Sequence, residues 1–233
     1  IEDVKVTGSV TGNNDVAGIV NKIDEDGKIE NVAFVGKIDS VGNNSTVGGI
    51  AGSNYMGFVN RAYVDATITA QNANASMLVP FVTYMLNSWK SGTKAKVTNS
   101  VAKGVLDVKN TRNVGGIVAK TWPYGAVQDN VTYAKVIKGQ EIFASNDVND
   151  EDGGPHIKDL FGVVGYSSAE DGTGKDTKSP NKLKHLTKEE ADKRVEGYNI
   201  TADTFVSEPY ALNTLNNVSS QADFANIQDY NPD

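Results

Sequence analysis

The fold is decided by the stretch Ile29-Glu-Asn-Val-Ala-Phe-Val-Gly-Lys-Ile38, which repeats the pattern of Ile1-Glu-Asp-Val-Lys-Val-Thr-Gly-Ser-Val10. Weaker copies of this block begin at Val59, Val97 and Val127, so that successive starts are separated by 28, 30, 38 and 30 residues. Intervals of this size are typical of one coil of a solenoid. Because a single coil cannot bury its own apolar face, we expect the five coils to stack around a continuous core.

Within each block, apolar residues alternate with polar ones, as in a strand that has one buried face. The tenth position is always apolar, and the eighth is always small, which lets the coil turn. The tenth position holds Val10, Ile38, Ile68, Leu106 and Val136, and the eighth holds Gly8, Gly36, Ala66, Gly104 and Ala134. The outward positions Lys5, Thr7 and Ser9 are polar. The pattern therefore predicts strands with an apolar inner face and a solvated outer face.

Two further columns mark turns. The third position holds Asp3, Asn31, Arg61, Asn99 and Asp129. We interpret it as a turn column rather than a stack of catalytic carboxylates, because Asn and Asp tolerate turn geometry. A glycine-rich signature follows each block, as Val16–Val20, Val47–Ala51, Val114–Val118 and Leu160–Val164, with Met77–Val82 as a degenerate third copy. Such glycines allow close approach of the backbone at a corner.

These patterns predict a mainly β fold, a right-handed parallel β-helix of about five coils, with a small α-helical segment at its C-terminal end. The handedness follows from the general preference for right-handed crossovers. We place the solenoid at residues 1–165, a linker rich in Gly, Asp, Lys and Ser at 166–182, and the helical segment at 183–233. The stretch Thr187-Lys-Glu-Glu190 is a capping box that starts a helix, and Gly197 is its predicted stop.

Composition argues against several classes of function. The chain has no cysteine and only two histidines, His156 and His185, neither of which has a histidine partner at helical spacing. We therefore predict no catalytic residue and no metal-binding residue. A net charge of −7 argues against nucleic acid, and no apolar run approaches the length of a membrane span. The acidic run at 146–153 is a surface loop or a calcium site, and its spacing does not match an EF-hand.

Large aromatic residues follow the glycine-rich signatures in coils two to five. They are Tyr55, Tyr84, Trp89, Trp122, Tyr124 and Tyr166. Because equivalent positions of successive coils stack, we expect these rings along one edge of the solenoid, where they would bind a protein or glycan partner. The alternative is that the rings cover the coil edge or lie beneath the C-terminal helices.

The coils resemble GLUG repeats of bacterial surface and secreted proteins, as in Ile29-Glu-Asn31 followed by Val47-Gly-Gly-Ile-Ala-Gly52. The tail is more specific. Its segments Leu186–Thr201 and Ala222–Pro232 are similar to the region that follows the repeats in streptococcal surface zinc metalloproteases of the immunoglobulin A1 protease and zinc metalloprotease B type. Because the sequence begins inside a repeat, we expect it to be a piece of a longer chain.

The resemblance implies a non-catalytic region ahead of a zinc-dependent peptidase domain, in an extracellular, cell-wall-associated or secreted protein. It implies no cofactor in this chain, since the zinc ligands belong to the peptidase domain. The implied function is substrate recognition or scaffolding, and the implied partners are that peptidase domain and a host protein such as immunoglobulin A1 or another glycoprotein. An adhesin-like module that binds host glycoproteins or glycans is the first alternative, and a polysaccharide-active β-helix enzyme is the second.

Overall fold

A computed structural model of the chain describes residues 1–83, 95–121, 126–138, 143–146, 165–167 and 183–200. These residues form a parallel β-solenoid of about four turns with one short helix near the C-terminal end, which confirms the predicted fold class. The strands in chain order are β1 (Glu2–Gly12), β2 (Val16–Ala17), β3 (Val20–Ile23), β4 (Lys28–Gly48), β5 (Ala51–Tyr55), β6 (Phe58–Ser76), β7 (Phe81–Thr83), β8 (Lys96–Thr98), β9 (Val101–Gly115), β10 (Val118–Thr121), β11 (Ala126–Gln128), β12 (Asn130–Thr132), β13 (Lys135–Val136), β14 (Phe143–Asn146), β15 (Gly165–Ser167) and β16 (Leu183–His185), and the helix is α1 (Lys188–Tyr198).

The strands form two parallel sheets. The long sheet has eleven strands and follows the order β1-β4-β6-β9-β12-β15-β16, with four short strands paired beside this path. The short sheet has five strands in the order β14-β10-β7-β5-β3. The chain thus passes from one sheet to the other and returns, one coil at a time. The handedness and the domain boundaries stay predictions.

The strand register confirms the columns that the sequence predicts. Val10 pairs with Ile38, Ile38 with Ile68, Ile68 with Leu106, and Leu106 with Val136. Four of these five are fully buried, namely Ile38, Ile68, Leu106 and Val136, and Val10 of the first coil is partly buried. Because the predicted repeat intervals equal the spacing of paired residues, the period of the sequence is the period of the solenoid.

The third column consists of left-handed turn residues, as predicted. All five have a positive φ: Asp3 55°, Asn31 52°, Arg61 55°, Asn99 50° and Asp129 55°. Two neighbouring members of the column are hydrogen-bonded to each other: the side-chain amide of Asn31 donates to the Asp3 carboxylate at 3.0 Å. Arg61 is the exception to the Asn/Asp rule, and its guanidinium donates to the Asn199 carbonyl at 3.1 Å.

One predicted boundary of the glycine-rich signature is wrong. Val47 pairs with Ala75 and Gly48 with Ser76, so the third copy begins at Ala75 rather than at Met77. Ser76 and Met77 of the third copy stand where the second copy has Gly48 and Gly49. The third copy therefore has no glycine pair by which its start could be recognised in the sequence. The copy at Leu160–Val164 lies outside the described residues.

Helix α1 begins as the capping box predicts. The Glu190 amide donates to the Thr187 hydroxyl at 3.3 Å, and the Thr187 amide donates to the Glu190 carboxylate at 2.9 Å. The Thr187 hydroxyl also donates to this carboxylate at 3.0 Å, and the bonds from the Thr187 amide and hydroxyl lower the pKa of Glu190. The predicted stop at Gly197 is wrong, because the helix continues to Tyr198 and ends at Asn199, whose φ of 51° is left-handed. Asn is the residue that takes this conformation at a helix end when glycine does not.

The helix packs on the outer face of the long sheet. Ala33, Tyr63 and Val101 form a buried cluster there with Ile200, and Val131 packs with Ala191. Polar contacts fix the docking: the Tyr133 hydroxyl donates to Asp192 at 2.9 Å, and the Tyr198 hydroxyl donates to the Asp129 carbonyl. The predicted solvated outer face is therefore wrong for the column of Ala33, Tyr63, Val101 and Val131, which is buried. It is confirmed at other outward positions, which are exposed: Thr7, Ser9, Lys37, Asp65, Thr67, Asp107 and Lys135.

We expect Thr187→Ala to weaken the first turn of α1 by about 1 kcal/mol, because it removes the hydroxyl that accepts from the Glu190 amide. Hydrogen exchange of the backbone amides of residues 188–191 measures the effect. We expect their exchange rates to increase about fivefold. Thr187→Ser keeps the hydroxyl and is the control. Equal exchange in both variants would contradict the role of this cap.

Candidate functional site

A tight corner joins the short sheet to the long sheet in the second coil. Only Met56 and Gly57 separate β5 from β6, and Met56 has a φ of 70°. The buried side chain of Asn54 holds the corner, since its oxygen accepts from the Gly57 amide at 2.8 Å. Its nitrogen donates to the carbonyls of Gly57 at 3.0 Å and Lys96 at 3.1 Å, and so ties the corner to the next coil. The corner is a preorganised support for the side chains around it.

Three half-buried aromatic rings lie at this corner and on the strands beside it, each with a lysine ammonium over its face. Lys22 lies 4.9 Å from the ring centroid of Tyr55, Lys96 lies 5.1 Å from that of Phe58, and Lys120 lies 5.5 Å from that of Phe81. We call these six residues the lysine–aromatic surface. In each pair the lysine comes from a coil adjacent to that of the ring, so the contacts also link successive coils.

The strand register sets the distances between residues of the lysine–aromatic surface along the solenoid axis. Lys22 pairs with Ser53, Asn54 with Val82, and Lys120 with Phe81, so that Lys22, Ser53, Phe81 and Lys120 form one column of the short sheet. Three strand spacings separate Lys22 from Lys120, which is roughly 14 Å. Phe58 pairs with Lys96 in the long sheet, on the other side of the corner. The surface therefore extends across the coils and around both sides of the corner.

The charge changes along the surface. In the first coil Lys22 forms a 2.7 Å ion pair with Asp24, and that hydrogen bond raises the pKa of Lys22. The neighbouring residues Glu25 and Asp26 are exposed. Lys28 is also neutralised locally, since Glu30 and Glu2 pair with it and raise its pKa. The first coil is thus acidic at this corner, whereas the exposed Lys96 places positive charge on the third coil.

The structure places the predicted aromatic residues unevenly. Tyr55 belongs to the lysine–aromatic surface. The backbone of Tyr166 pairs with Val131 in the long sheet, so it is not in the same sheet as Tyr55. Tyr84, Trp89, Trp122 and Tyr124 lie outside the described residues. The binding role of the whole set stays a prediction.

Sequence reasoning missed Phe58, Phe81 and their lysines. Phe58 and Phe81 precede or follow apolar residues, so that each reads as part of a buried run. The outward position of Phe81 becomes apparent only when the register places it in one column with Lys22 and Lys120. For Phe81 and Lys120 the missing signal was the coil alignment of the short sheet, which the ten-residue blocks do not include. Phe58 and Lys96 each stand one residue before a block, at equivalent positions of the long sheet.

No group of three or more His, Cys, Asp or Glu side chains converges as metal ligands would in the part of the chain that the structure describes. His156 and residues 147–153 are outside that part, so the predicted calcium alternative stays open. Among the described residues, no helix is long and apolar enough to span a membrane.

Comparison with known proteins identifies the context of the solenoid. The chain is 50% identical over 199 residues to the zinc metalloprotease ZmpB of Streptococcus pneumoniae, a match that covers 84% of the chain and 10% of that protein. It is 33% identical over 150 residues to the zinc metalloprotease ZmpC of the same organism, covering 61% of the chain and 8% of that protein. No protein-family model and no solved structure matches significantly. The chain spans about a tenth of the length of these relatives, and by this similarity it belongs to the streptococcal zinc metalloprotease family.

Proposed function

We propose that the chain is a substrate-recognition or scaffold region of a secreted, surface-associated bacterial zinc metalloprotease that cleaves host proteins. The chain is similar to a segment that makes up 10% of a zinc metalloprotease, and it folds as a solenoid. Both observations fit a non-catalytic region of such an enzyme. In this proposal the zinc is bound by a peptidase domain encoded elsewhere in the parent protein. The solenoid supplies a rigid surface that holds a large substrate near that domain.

The lysine–aromatic surface is the observation that supports recognition rather than scaffolding alone. Half-buried aromatic rings on a rigid support are typical anchors of protein interfaces, because they bury a large area with little loss of side-chain freedom. The Asn54 bonds fix the backbone between Tyr55 and Phe58, so a partner would meet a preformed surface. The proposed partner is a host protein such as immunoglobulin A1 or another glycoprotein.

An adhesin-like module is the second candidate, and the same surface supports it. The two functions differ in their dependence on the peptidase domain. An adhesin retains its host ligands without being cleaved from them, whereas a recognition region binds proteins that the parent enzyme cleaves. Comparison of the proteins that the chain binds with those that the parent cleaves therefore separates the two functions.

We expect Phe81→Ala and Tyr55→Ala each to weaken binding to the host partner at least tenfold, since each truncates an anchor of the surface. Surface plasmon resonance of the 233-residue chain against immobilised immunoglobulin A1 and a panel of host glycoproteins measures the effect. Trp122→Ala tests the predicted aromatic edge in the same assay.

The control is Val41→Ala, which truncates an exposed apolar side chain, 48% accessible, in a different part of the coil. It should leave binding unchanged. Saturable binding that all three aromatic variants retain would exclude this surface as the site. If the chain binds no member of the panel, scaffolding is the remaining part of the proposal.

A further inference from the structure

We propose that a further coil of the parent protein stacks on the first coil, residues 1–28, and completes its core. This added coil would place one strand beside β1 in the long sheet and one beside β3 in the short sheet. Both β1 and β3 stand at the end of their sheet in the part of the chain that the structure describes. The inference rests on the family membership, since the chain spans about a tenth of its relatives, and it does not depend on substrate recognition.

The inner face of the first coil has the residues of a core but is only half covered. Its apolar side chains pack on the core cluster and are partly buried: Val4, Val6, Val10, Ile19 and Val20. The residues opposite them in the second coil are fully buried: Val32, Phe34, Ile38, Ile50 and Ala51. The second coil has a neighbour on each side, whereas the first has one on a single side. Another coil would therefore bury the exposed half of these columns.

Strand β1 is a long and regular edge strand. It has 11 residues, contains no proline, and pairs with β4 from Glu2 to Gly12 without a register shift. Such a strand presents a row of backbone N–H and C=O groups on its open side, to which another strand can bind. Each strand pair in the described part of the chain is parallel. The edge thus continues a pattern that favours one more strand in the same direction.

Gly8 has the backbone of a coil that stacks on a preceding coil. Its φ of 142° is matched by the equivalent residues Gly36, at 154°, and Gly104, at 104°. A Cβ at Gly36 would lie 1.8 Å from the Gly8 carbonyl oxygen, and one at Gly104 would lie 2.0 Å from the Ala66 carbonyl oxygen. The preceding coil thus excludes a side chain at both positions. A Cβ at Gly8 would meet nothing within 4 Å among the described residues, so the carbonyl of an added coil fits there.

Charge favours a coil of the parent protein over a second copy of this chain. Residues 1–28 contain six carboxylates and three lysines, a net charge of 3 − 6 = −3. The carboxylates are those of Glu2, Asp3, Asp15, Asp24, Glu25 and Asp26. In a symmetric dimer that joins two first coils, these charges would face each other and repel.

The position of Ile1 shows how a preceding segment would reach this edge. The Ile1 nitrogen donates to the Lys28 carbonyl at 2.8 Å, and the Ile1 carbonyl accepts from the Glu30 amide at 3.0 Å. Residues joined to Ile1 in the parent protein would therefore lie beside the turn that connects β3 to β4. This covalent link keeps the segment at a high effective concentration next to the open strands. We expect it to carry apolar residues opposite Val6 and Val10 and a small residue opposite Gly8.

Two pieces of the parent protein that both end at Asp233 provide the test. One is the 233-residue chain, and the other begins about 60 residues further upstream, or roughly two coils. Hydrogen exchange of the backbone amides in β1 and β3 should be at least tenfold slower in the longer piece, because these strands become paired on both sides. Exchange in β6, which lies between β4 and β9 in both pieces, should not change.

A substitution at Val6 tests the burial of the inner column separately. Val6→Asn should lower the thermal midpoint by several degrees more in the longer piece, because Val6 would be buried there as Phe34 is in the second coil. The matched control is Thr7→Asn, at the exposed outward position next to it, which should have the same small effect in both pieces.

Equal exchange of β1 in the two pieces, or an equal effect of Val6→Asn in both, would overturn the proposal. A dimer of the 233-residue chain in light scattering, with β1 protected from exchange, would assign the edge to a second copy. Protection of β1 by a host protein from the binding panel would assign the edge to that partner. None of the expected results requires a host protein, so failure of the recognition function would leave this proposal standing, and the reverse also holds.

Discussion

Replacing Gly49 by alanine should lower the free energy of unfolding by about 3 kcal/mol or more, the upper part of the range for overpacked cores. A Cβ atom at this position would lie 2.0 Å from the Met77 carbonyl oxygen of the next coil and 2.7 Å from a methyl group of Val64. The nearest obstacle is backbone, so no change of rotamer relieves the collision. Two coils would have to separate locally, and the close stacking at this corner would be lost.

Thermal unfolding followed by circular dichroism measures this effect, and we expect a fall in the midpoint of roughly 10 °C. Gly197→Ala is the matched control, because it makes the same chemical change in helix α1, where a Cβ would meet nothing within 4 Å. There alanine should be neutral or stabilising by up to about 1 kcal/mol. A Gly49 variant as stable as this control would contradict the requirement for glycine at the corner.

The sequence predicted the inner half of the molecule well. Burial on one side of a strand requires a period of two, and stacking of coils requires the same residues at each turn, so the columns that contain Ile38 and Ile68 were visible in the sequence. The turn column was visible for a similar reason, because a left-handed backbone favours Asn and Asp. Arg61 shows the limit of this preference for Asn and Asp, because it has the same left-handed backbone although arginine is not favoured there.

The outer half was less predictable because its contacts join distant parts of the chain. Ala33, Tyr63 and Val101 form an apolar outward column, but a sequence pattern gives no partner for it until α1 is placed over the sheet. The continuous apolar run from Val32 to Val35 was the available signal, since a strand buried on both faces does not alternate. The lysine–aromatic surface depends in the same way on register, because its lysines and rings come from different coils.

These two halves have different tolerance to change. The inner columns are set by stacking, so that a substitution there affects every neighbouring coil. Lys22 and Lys96 of the lysine–aromatic surface are exposed, and they contribute little to that stacking because exposed cation–ring contacts are weak. A substitution at Lys96 can therefore alter binding while the solenoid remains folded, and this separation makes the binding experiments interpretable.

Phe34→Ala should destabilise the protein by about 3–5 kcal/mol, the range observed when a buried phenylalanine is truncated. Phe34 is fully buried, and its backbone pairs with Val6 on one side and Val64 on the other. Gly18 of the preceding coil leaves room for its ring, because a Cβ at Gly18 would lie only 2.5 Å from the ring. Alanine would leave a cavity between coils, and the stacked backbones prevent the neighbouring side chains from filling it.

Chemical denaturation of Phe34→Ala and of Val35→Ala gives the comparison. Val35 is adjacent in sequence, but it points to the outer face and is only partly buried, so its truncation should cost roughly 1 kcal/mol. A loss at Phe34 no larger than that at Val35 would contradict an inner column as the main source of stability. A large loss at Phe34 alone would show that the core between the coils stabilises the solenoid and thereby supports its outer surfaces.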